Sequence, residues 1–417
     1  MSENLLNPIF DAVWDMGVLV YKLIKGKDKH FNIDKFFKDV ELKNKQGVYP
    51  EVYKEFDTEL GRRYILYLPT GLELNDFLKL KNALEQQINK KTEIQYKNGF
   101  IEVQFINKEL DNKIPYNPPK RNPKIKSLVI PVGESIKDTV YIKTNDIPHV
   151  LICGTTGSGK SVAVRSILTS LITINSPQEL ELFLIDLKQV ELSAFSRVKH
   201  CKCFIRNPYE ASKKIEELME ECDRRYNKFF ECGVNNIYDY NKKNPKNKMK
   251  MQAIFIEEFV MMQLAGKQAM NTLKIFASLS RASGQYLFLS CQRPDNTVID
   301  NVLKACLGNR LIFRTEDSKN SIICLDKEGA EKLRGEGHAI LKQGSKVTEL
   351  QAYWLSLEDA KEYIKPYLKE NKDIKVAKEN KNEKQISIKT KNYKRQEDNE
   401  DANNIKDLSF LEKIDEL

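Results

Sequence analysis

A glycine-rich octapeptide near the middle of the chain constrains the fold more than any other feature of the sequence. It follows the pattern G-x-x-x-x-G-K-[ST] and reads Gly154-Thr155-Thr156-Gly157-Ser158-Gly159-Lys160-Ser161. Its glycines let successive backbone N–H groups turn toward a phosphate. Because such a loop joins a β-strand to an α-helix, we expect the surrounding domain to be of the α/β class.

The residues on either side of this loop have the composition that the motif requires. The apolar run His149–Cys153 precedes it and predicts a strand, and Val162–Ile172 follows it and predicts a helix. Lys160 is placed to reach the β- and γ-phosphates, and the hydroxyl of Ser161 to bind Mg²⁺. We therefore predict that the eight loop residues and Val162 bind ATP, with Mg²⁺ as the accompanying metal.

The composition of the chain narrows the classes of protein to which it can belong. Its 417 residues are enough for two or three domains, and 41% hydrophobic with 30% charged residues are ordinary values for a soluble protein. Lysine and arginine number 68 against 59 aspartates and glutamates, and the formal net charge of +9 favours a polyanionic partner. Eight cysteines without a C-x-x-C pair indicate reduced thiols of a cytosolic protein.

Apolar, polar and proline-rich stretches divide the chain into five segments. They are a helical segment at 1–45, a small α+β domain at 46–114, a proline-rich linker at 115–126, a P-loop domain at 127–368 and a charged tail at 369–417. In the fourth segment apolar runs alternate with amphipathic helices, as in a parallel sheet covered by helices. The tail is rich in lysine and asparagine and is predicted to be disordered.

The N-terminal segment has the pattern of an apolar helix that charged residues interrupt. Asp11, Asp15 and Lys22 lie within the run Leu5–Ile24, so we predict neither a signal peptide nor a membrane span. A helix of this kind either docks on its own protein or lies on a membrane surface or a partner, and both alternatives stay open. We accordingly expect a cytoplasmic protein, with peripheral attachment to the inner face of the membrane as an option.

The small second domain combines strands with one helix. Arg63–Leu68 predicts a strand and Leu74–Lys90 a helix, and Thr92–Tyr96 and Phe100–Ile106 predict a hairpin around Lys97-Asn98-Gly99. Four prolines between positions 115 and 123 then mark a boundary that no regular element is expected to cross.

Chemically distinctive residues follow the predicted strands of the P-loop domain. Glu257 and Glu258 come directly after the apolar run Ala253–Ile256, and Gln292 comes shortly after Tyr286–Leu289. In such a fold the ligand site forms at the carboxyl ends of the strands. We predict that Glu257 holds Mg²⁺, that Glu258 polarises the attacking water and that Gln292 senses the γ-phosphate.

Several motifs in order along the chain point to one family. Besides the loop, they are Asp186-Leu187-Lys188-Gln189-Val190-Glu191-Leu192, Asp223-Arg224-Arg225-Tyr226, Gly233-Val234-Asn235-Asn236-Ile237, Tyr240-Asn241, Glu257-Glu258-Phe259, Cys291-Gln292-Arg293-Pro294 and the stretch from Gly329 to Gly337. With these motifs, the region from Pro148 to Trp354 resembles the motor domain of the FtsK/SpoIIIE family of DNA translocases.

The resemblance implies a RecA-like P-loop NTPase fold and an ATP-hydrolysing motor that acts on double-stranded DNA. It also implies a homo-hexameric ring with ATP between neighbouring subunits and DNA in the central channel. Each site then needs a cation from the adjacent subunit, and the family position for this role corresponds to Arg310, with Arg314 and Arg281 as alternatives. The expected catalytic residues are therefore Lys160, Glu258, Gln292 and Arg310.

Two departures from the family pattern change these expectations. Glu257 stands where the family has an aspartate, and its extra methylene is expected to slow hydrolysis or to alter the metal preference without preventing binding. Ile322 stands where the family has an arginine that contacts DNA phosphate. Three lysines nearby are candidates to replace that contact, namely Lys319, Lys342 and Lys346.

The layout of the chain resembles coupling or transfer proteins of mobile elements, because it has one motor region and no segment like the winged-helix module of chromosomal members. We therefore expect an ATP-driven DNA translocase that serves the transfer of a plasmid or integrative element. The N-terminal helix or the tail is expected to contact a membrane or other transfer proteins. Two alternatives stay open: an ATPase that drives protein secretion, and an ATP-dependent DNA clamp or replication accessory.

Overall fold

A computed structural model describes residues 31–119, 128–144, 147–189, 191–294, 296 and 298–370. The chain divides into two compact units. The first contains the residues up to Asp111 together with Glu134–Thr139, and the second contains Asn112–Gly133 and the residues from Val140 onward. The predicted helix at Leu5–Ile24 and the predicted tail beyond position 370 lie outside the described residues.

Among its described residues, the first unit is a four-stranded antiparallel sheet with two helices. Its elements are α1 (Ile33–Asp39), β1 (Glu51–Thr58), β2 (Gly61–Tyr67), α2 (Leu74–Ile88), β3 (Lys91–Lys97) and β4 (Phe100–Ile106). The strand order is β1-β2-β4-β3. Asn98 and Gly99 both have positive φ at the turn between β3 and β4, so the predicted hairpin is confirmed.

The core of this unit includes more of the N-terminus than the sequence predicts. Phe36 and Phe37 of α1 are buried in the same cluster as Tyr64 and Phe77. The boundary expected at position 45 therefore falls inside a compact unit. Strand β1 is not predicted from the sequence, because most of its side chains are exposed and the strand lacks a clear apolar alternation.

The second unit is built on one large sheet. Its strands are β5 (Ile114–Pro115), β6 (Val129–Glu134), β7 (Thr139–Lys143), β8 (Val150–Cys153), β9 (Leu180–Asp186), β10 (Cys201–Ile205), β11 (Met251–Glu257), β12 (Gln285–Cys291), β13 (Asn309–Phe313), β14 (His338–Gln343) and β15 (Lys346–Trp354). Six of them run parallel in the order β10-β9-β11-β12-β8-β13. They are mostly buried on both faces, which explains their continuous apolar sequences.

The rest of the sheet adds antiparallel pairs to the predicted parallel strands. β13 pairs antiparallel with β14, and β14 pairs antiparallel with β15. The order continues through β6 and β7, and β5 pairs in parallel with β15. The turn between β14 and β15 contains only Gly344 and Ser345, and so short a connection joins antiparallel strands, whereas parallel strands need a long crossover.

Helices cover both faces of this sheet. They are α3 (Lys160–Ile174), α4 (Pro208–Cys232), α5 (Ile237–Lys243), α6 (Lys267–Leu279), α7 (Asn301–Cys306), α8 (Ser318–Leu325) and α9 (Leu357–Ile364). The core on one face contains α3 and α9, and the core on the other contains α4 and α6. Among the described helices, none is long and apolar enough to cross a membrane.

The longest of these helices shows how local sequence sets its ends. The side chain of Asn207 accepts a hydrogen bond from the backbone N–H of Tyr209 over 2.8 Å, and Pro208 takes the first position of α4. Gly233 ends the helix with φ of 63°. An asparagine cap, an initial proline and a terminal glycine are the ordinary signals for the start and the end of a helix.

The first residues of the predicted linker belong to the second unit. β5 pairs with the end of β15, and the backbone N–H of Tyr116 donates to the carbonyl oxygen of Trp354 over 2.9 Å. The ring of Tyr116 is buried, and its hydroxyl lies 2.9 Å from Oγ of Ser170. The boundary expected between positions 114 and 115 is therefore displaced toward the N-terminus.

Candidate nucleotide-binding site

The glycine-rich loop leaves β8 at the carboxyl edge of the parallel strands and enters α3. Gly157 and Gly159 have φ angles of 77° and 102°, which residues with a Cβ adopt only at a cost. No side chain caps the N-terminus of the 15-residue helix α3. Its first-turn N–H groups and the positive end of its dipole are therefore disposed to bind an anion such as phosphate.

A second glycine-rich segment packs against this loop. The backbone N–H of Gly337 donates to the carbonyl oxygen of Ser158 over 2.8 Å. A Cβ on Gly159 would lie 2.4 Å from the nitrogen of Gly337, and a Cβ on Gly154 would lie 2.6 Å from Cβ of Phe313. These approaches are too close for any residue but glycine, so they account for glycine at positions 154 and 159 of the loop.

Lys160 lies at the base of the loop and is paired with Glu257. Its Nζ donates to Oε1 of Glu257, and the hydroxyl of Ser290 donates to Oε2 of the same carboxylate. Burial alone lowers the pKa of Lys160, but the charge and hydrogen bond of Glu257 outweigh it, and the net pKa is raised. A cation that can bind a phosphate, Lys160, therefore lies beside a carboxylate that can bind a metal, Glu257.

Glu258, the next residue, follows β11 in a left-handed conformation with φ of 55° and is 5% exposed. The backbone N–H of Gln292 donates to its Oε1 over 3.2 Å, and Nζ of Lys188 lies 2.9 Å from its Oε2. Lys188 stands on the turn after β9, where Asp186 accepts a hydrogen bond from the backbone of Leu192 over 2.9 Å. The structure thus brings the second carboxylate to the strand end that carries Gln292.

A cleft of about 430 Å³ opens at the loop. Ser161, Val162 and Gln292 line it together with most of the loop residues. The hydroxyl of Thr156 lies 3.5 Å from the side-chain oxygen of Gln292. The loop residues and Gln292, which lie far apart in sequence, therefore face one cavity.

Two residues of the cleft lining, Lys113 and Trp354, are not singled out by the sequence patterns. Glu191 and Glu336, which stand in two of the family motifs, also line the cleft. Nζ of Lys113 lies 3.5 Å from the centroid of the Trp354 ring. The rarity of tryptophan, which occurs twice in the chain, is the one signal that could have drawn attention to Trp354.

Comparison with known proteins identifies the family. The model of the FtsK/SpoIIIE family matches residues 116–338. The chain belongs to the FtsK/SpoIIIE family. The match covers more than half of the chain and includes the loop, both glutamates and Gln292, so the predicted resemblance is confirmed.

Curated relatives of this family cover a similar region. The DNA translocase FtsK of Staphylococcus aureus is 29% identical over 300 residues, which are 69% of this chain and 37% of that protein. The DNA translocase FtsK of Listeria monocytogenes is 34% identical over 265 residues, which are 60% of this chain and 35% of that protein. The chain thus spans little more than a third of the length of these relatives.

Solved structures show the same fold. The pCW3 conjugation coupling protein TcpA, in its monomer form with ATPγS, is similar with a TM-score of 0.57 and 22% identity over 80% of this chain and 98% of that one. The cytoplasmic domain of the type VII secretion ATPase EccC of Thermomonospora curvata is similar with a TM-score of 0.53 and 22% identity. The similarity covers 63% of this chain and 33% of that one. The predicted α/β P-loop ATPase fold is therefore confirmed.

Arg310, the residue that the family pattern assigns to a neighbouring site, is buried in its own subunit. It is 7% exposed, and its guanidinium donates to the carbonyl oxygens of Leu307, Lys304 and Cys324. A further N–H donates to Oδ2 of Asp326 over 2.6 Å. This placement argues against the expected role, because these contacts direct the guanidinium into its own domain.

The alternative arginines are exposed. Arg314 follows β13, and its carbonyl oxygen accepts a hydrogen bond from the backbone of Thr155 over 3.0 Å, so it is adjacent to the loop. Its guanidinium donates to the carbonyl oxygen of Arg334 over 3.2 Å. Arg281 lies in the turn before β12. Of the three arginines, Arg314 combines exposure with proximity to the nucleotide loop.

The three candidate DNA-binding lysines have different surroundings. Lys319, on α8, and Lys346, at the start of β15, are exposed. Lys342 is partly buried, and its Nζ donates to Asp326, which also binds Arg310. The charge of Lys342 is thus already compensated within the domain. Ile322, on the same helix as Lys319, is 45% exposed.

Proposed function

We propose that this chain hydrolyses ATP and uses the energy to move double-stranded DNA. The observation that carries the proposal is the buried pair of Lys160 and Glu257 at the base of a phosphate-binding loop, with Glu258 next in sequence and in contact with Gln292. This is the set of groups that phosphoryl transfer to water requires. Membership of the FtsK/SpoIIIE family supports the choice of DNA as the substrate of the motor.

The phosphates of the nucleotide are held by the loop and the first turn of α3. Lys160 leaves Glu257 and meets the β- and γ-phosphates when they enter. The hydroxyl of Ser161 and the carboxylate of Glu257 would then hold Mg²⁺, since oxygen donors are the ligands that this ion prefers. When bound, Mg²⁺ supplies compensation for the phosphate charge. Ser290 keeps the carboxylate of Glu257 oriented after Lys160 has left.

Glu258 is the general base of the proposed reaction. It accepts the proton of the attacking water, and the positive charge of Lys188, 2.9 Å away, stabilises the carboxylate before the reaction. The backbone of Gln292 holds Glu258, and the side chain of Gln292 faces the loop across from Thr156. Gln292 is therefore placed to couple the position of the base to the presence of a γ-phosphate.

The motor is proposed to act as a homo-hexameric ring around the duplex. The net charge of +9 and the exposed Lys319 and Lys346 support binding to a polyanion. Arg314 is the proposed cation for the neighbouring site, because its exposure suits a contact with another subunit and Arg310 is buried.

We further propose that the DNA is that of a plasmid or integrative element in transfer. The solved structure described as a conjugation coupling protein is similar over 98% of its own length and 80% of this chain. Contacts with a membrane or with other transfer proteins are proposed for the N-terminal helix or the C-terminal tail.

Two measurements test the proposal against its alternatives. Duplex DNA should stimulate ATP hydrolysis, and the protein should displace a triplex-forming strand from duplex DNA only while ATP is hydrolysed. Stimulation without displacement would favour an ATP-dependent clamp. Hydrolysis that duplex DNA does not alter would favour a protein-secretion ATPase, a class to which EccC is assigned and whose fold this chain shares.

The DNA contact itself can be tested at the exposed lysines. Lys319→Glu with Lys346→Glu should reduce DNA-stimulated hydrolysis and spare basal hydrolysis, because neither lysine lines the nucleotide cleft. Each phosphate contact removed should lower the slope of log K against log salt by roughly 0.9 per subunit engaged. Lys361→Glu on α9 is the control. An unchanged salt slope in the double variant would place the DNA contact elsewhere, with the tail beyond position 370 as the next candidate.

A further inference from the structure

The cleft at the phosphate-binding loop has an aromatic ring in its lining. Ser161 and Val162 on the first turn of α3 and Trp354, the last residue of β15, line the same cavity. Trp354 is 41% exposed, although the four residues that precede it in the strand are buried. An exposed indole face in a cleft of this size is a surface on which a flat heterocycle can stack.

Backbone pairing holds the tryptophan in place. Pro115 of β5 pairs with Trp354 in parallel register, and the N–H of Tyr116 donates to the carbonyl oxygen of Trp354 over 2.9 Å. The indole therefore stands on a main chain that is fixed on this side. A preorganised aromatic group of this kind loses little freedom when a ligand stacks on it.

The same short strand brings a lysine onto the ring. Lys113 precedes β5 by one residue, and its Nζ lies 3.5 Å from the centroid of the Trp354 ring. Lys113 lines the cleft together with Trp354, so a base that stacks from the cleft on the ring face under Lys113 excludes the lysine from that face. The lysine stem is flexible and can withdraw from the ring without any movement of the backbone.

We propose that the indole of Trp354 is the stacking platform for the purine base of the bound nucleotide, and that Lys113 occupies this platform until the base displaces it. The inference rests on the proposed function, because it takes the phosphates of the same nucleotide to bind at the loop. It assigns recognition of the base to Trp354 and recognition of the phosphates to α3 and Lys160.

Two ligands that share their phosphates and differ in the base separate these roles. The affinities of ATPγS and of inorganic tripolyphosphate are measured by calorimetry with Mg²⁺ for the wild type, Trp354→Ala and Trp354→Phe. Trp354→Ala should lower the affinity for ATPγS by roughly 5- to 150-fold, the range for loss of one stacked base. It should leave the affinity for tripolyphosphate unchanged. Trp354→Phe, which keeps a stacking ring, should retain most of the affinity for ATPγS. Tyr141→Ala, an exposed aromatic outside the cleft, is the matched control.

Fluorescence gives a second readout that needs no change at the platform. Trp14 and Trp354 are the two tryptophans of the chain, so Trp14→Phe leaves Trp354 as the single emitter. ATPγS should change its emission and lower its accessibility to acrylamide, whereas tripolyphosphate should do neither. Lys113→Met should raise the acrylamide accessibility of the free protein, since it removes the charged group from the ring.

The outcomes distinguish this inference from the proposed function. If Lys160→Ala abolishes ATPγS binding while Trp354→Ala leaves it at the wild-type value, the nucleotide site stands and the platform is wrong. Equal weakening of ATPγS and tripolyphosphate by Trp354→Ala would also overturn the platform, because the base would not be the group affected. If the wild type binds neither ligand, both the proposed function and the platform fall.

Discussion

Two parts of the cleft lining, the glycine-rich loop and the pair of Lys113 and Trp354, are built in opposite ways. The loop lining comes from one continuous stretch within Gly154–Val162, whose glycines and lysine have roles that follow from local backbone geometry. Lys113 and Trp354 come from distant parts of the sequence and are in contact because β5 pairs with β15. The first kind of site can be found in a sequence as a motif, and the second becomes visible only in the fold.

The difference also separates residues that act through local geometry from residues whose role depends on their tertiary neighbours. Lys160 lies where the loop motif places it, and the fold adds Glu257 and Ser290 as its partners. Arg310, which was assigned by its position in a family pattern, turns inward because Asp326 and three carbonyl groups bind it. Substitutions in the first group are therefore expected to change the chemistry, and substitutions in the second to change the stability of the fold.

The largest effect is expected at the loop lysine. Lys160→Ala should abolish hydrolysis and remove most nucleotide affinity, because the loop loses its cation for the β- and γ-phosphates. It also leaves the buried Glu257 without its ion-pair partner. ATPase assays and calorimetry with ATPγS measure the two effects, and Arg165→Ala on the same helix serves as control. Retention of wild-type affinity would show that the loop does not bind the phosphates.

The adjacent glutamates should differ from each other. Glu258→Gln should bind ATP and stall, with turnover lower by roughly 10²- to 10⁴-fold, because the general base is lost. Glu257→Gln should instead weaken the dependence of binding on Mg²⁺, because a metal ligand is lost. Rapid-quench assays and Mg²⁺ titrations of ATPγS binding measure these effects. If Glu257→Gln stalls with ATP bound and Glu258→Gln turns over normally, the two assignments must be exchanged.

The features that can be predicted from the sequence are those that depend on local geometry, and the others depend on tertiary neighbours. The loop, its strand and helix, the β3–β4 hairpin and the strand ends at Glu257 and Gln292 are predictable, because spacing and turn chemistry are local properties. The antiparallel half of the sheet and the place of α1 in the first core are not, because register and packing partners depend on residues far apart in sequence. Lys188, which pairs with Glu258, stands inside a recognised motif, yet its partner emerges only from the pairing of β9 with β11.

A smaller effect is expected at Arg310, and it concerns the stability of the domain and not the chemistry of ATP hydrolysis. Arg310→Ala should destabilise the domain by about 2–4 kcal/mol, since it leaves the carbonyl groups of Leu307, Lys304 and Cys324 without the guanidinium as their donor, whereas Asp326 keeps Lys342. Arg314→Ala, the matched control at an exposed arginine, should change the free energy of unfolding by less than about 0.5 kcal/mol and should reduce hydrolysis in assembled rings. Urea unfolding and ATPase assays separate the two. An Arg310→Ala protein of unchanged stability and strongly reduced turnover would restore the catalytic assignment of Arg310.

The smallest effect concerns His149, which stands at the start of the apolar run before the loop and is held by tertiary contacts. Its Nε2 lies 2.9 Å from the carbonyl oxygen of Ala277, and its Nδ1 accepts the backbone N–H of Leu287 over 3.0 Å. The ring must therefore be neutral with the proton on Nε2. Burial lowers its pKa to about 4 from the ordinary value of 6.5.

Because the unfolded chain takes up this proton first as the pH falls, the contribution of His149 to stability is present above pH 6.5 and is lost progressively toward pH 4. The free energy of unfolding falls by up to about 3 kcal/mol through this group. Urea unfolding of the wild type and of His149→Gln, whose amide does not titrate, gives the difference between the two proteins at pH 7 and pH 4.5. The variant should lose less stability than the wild type over this interval, and equal losses would mean that His149 takes up its proton in the folded protein as readily as in the unfolded chain.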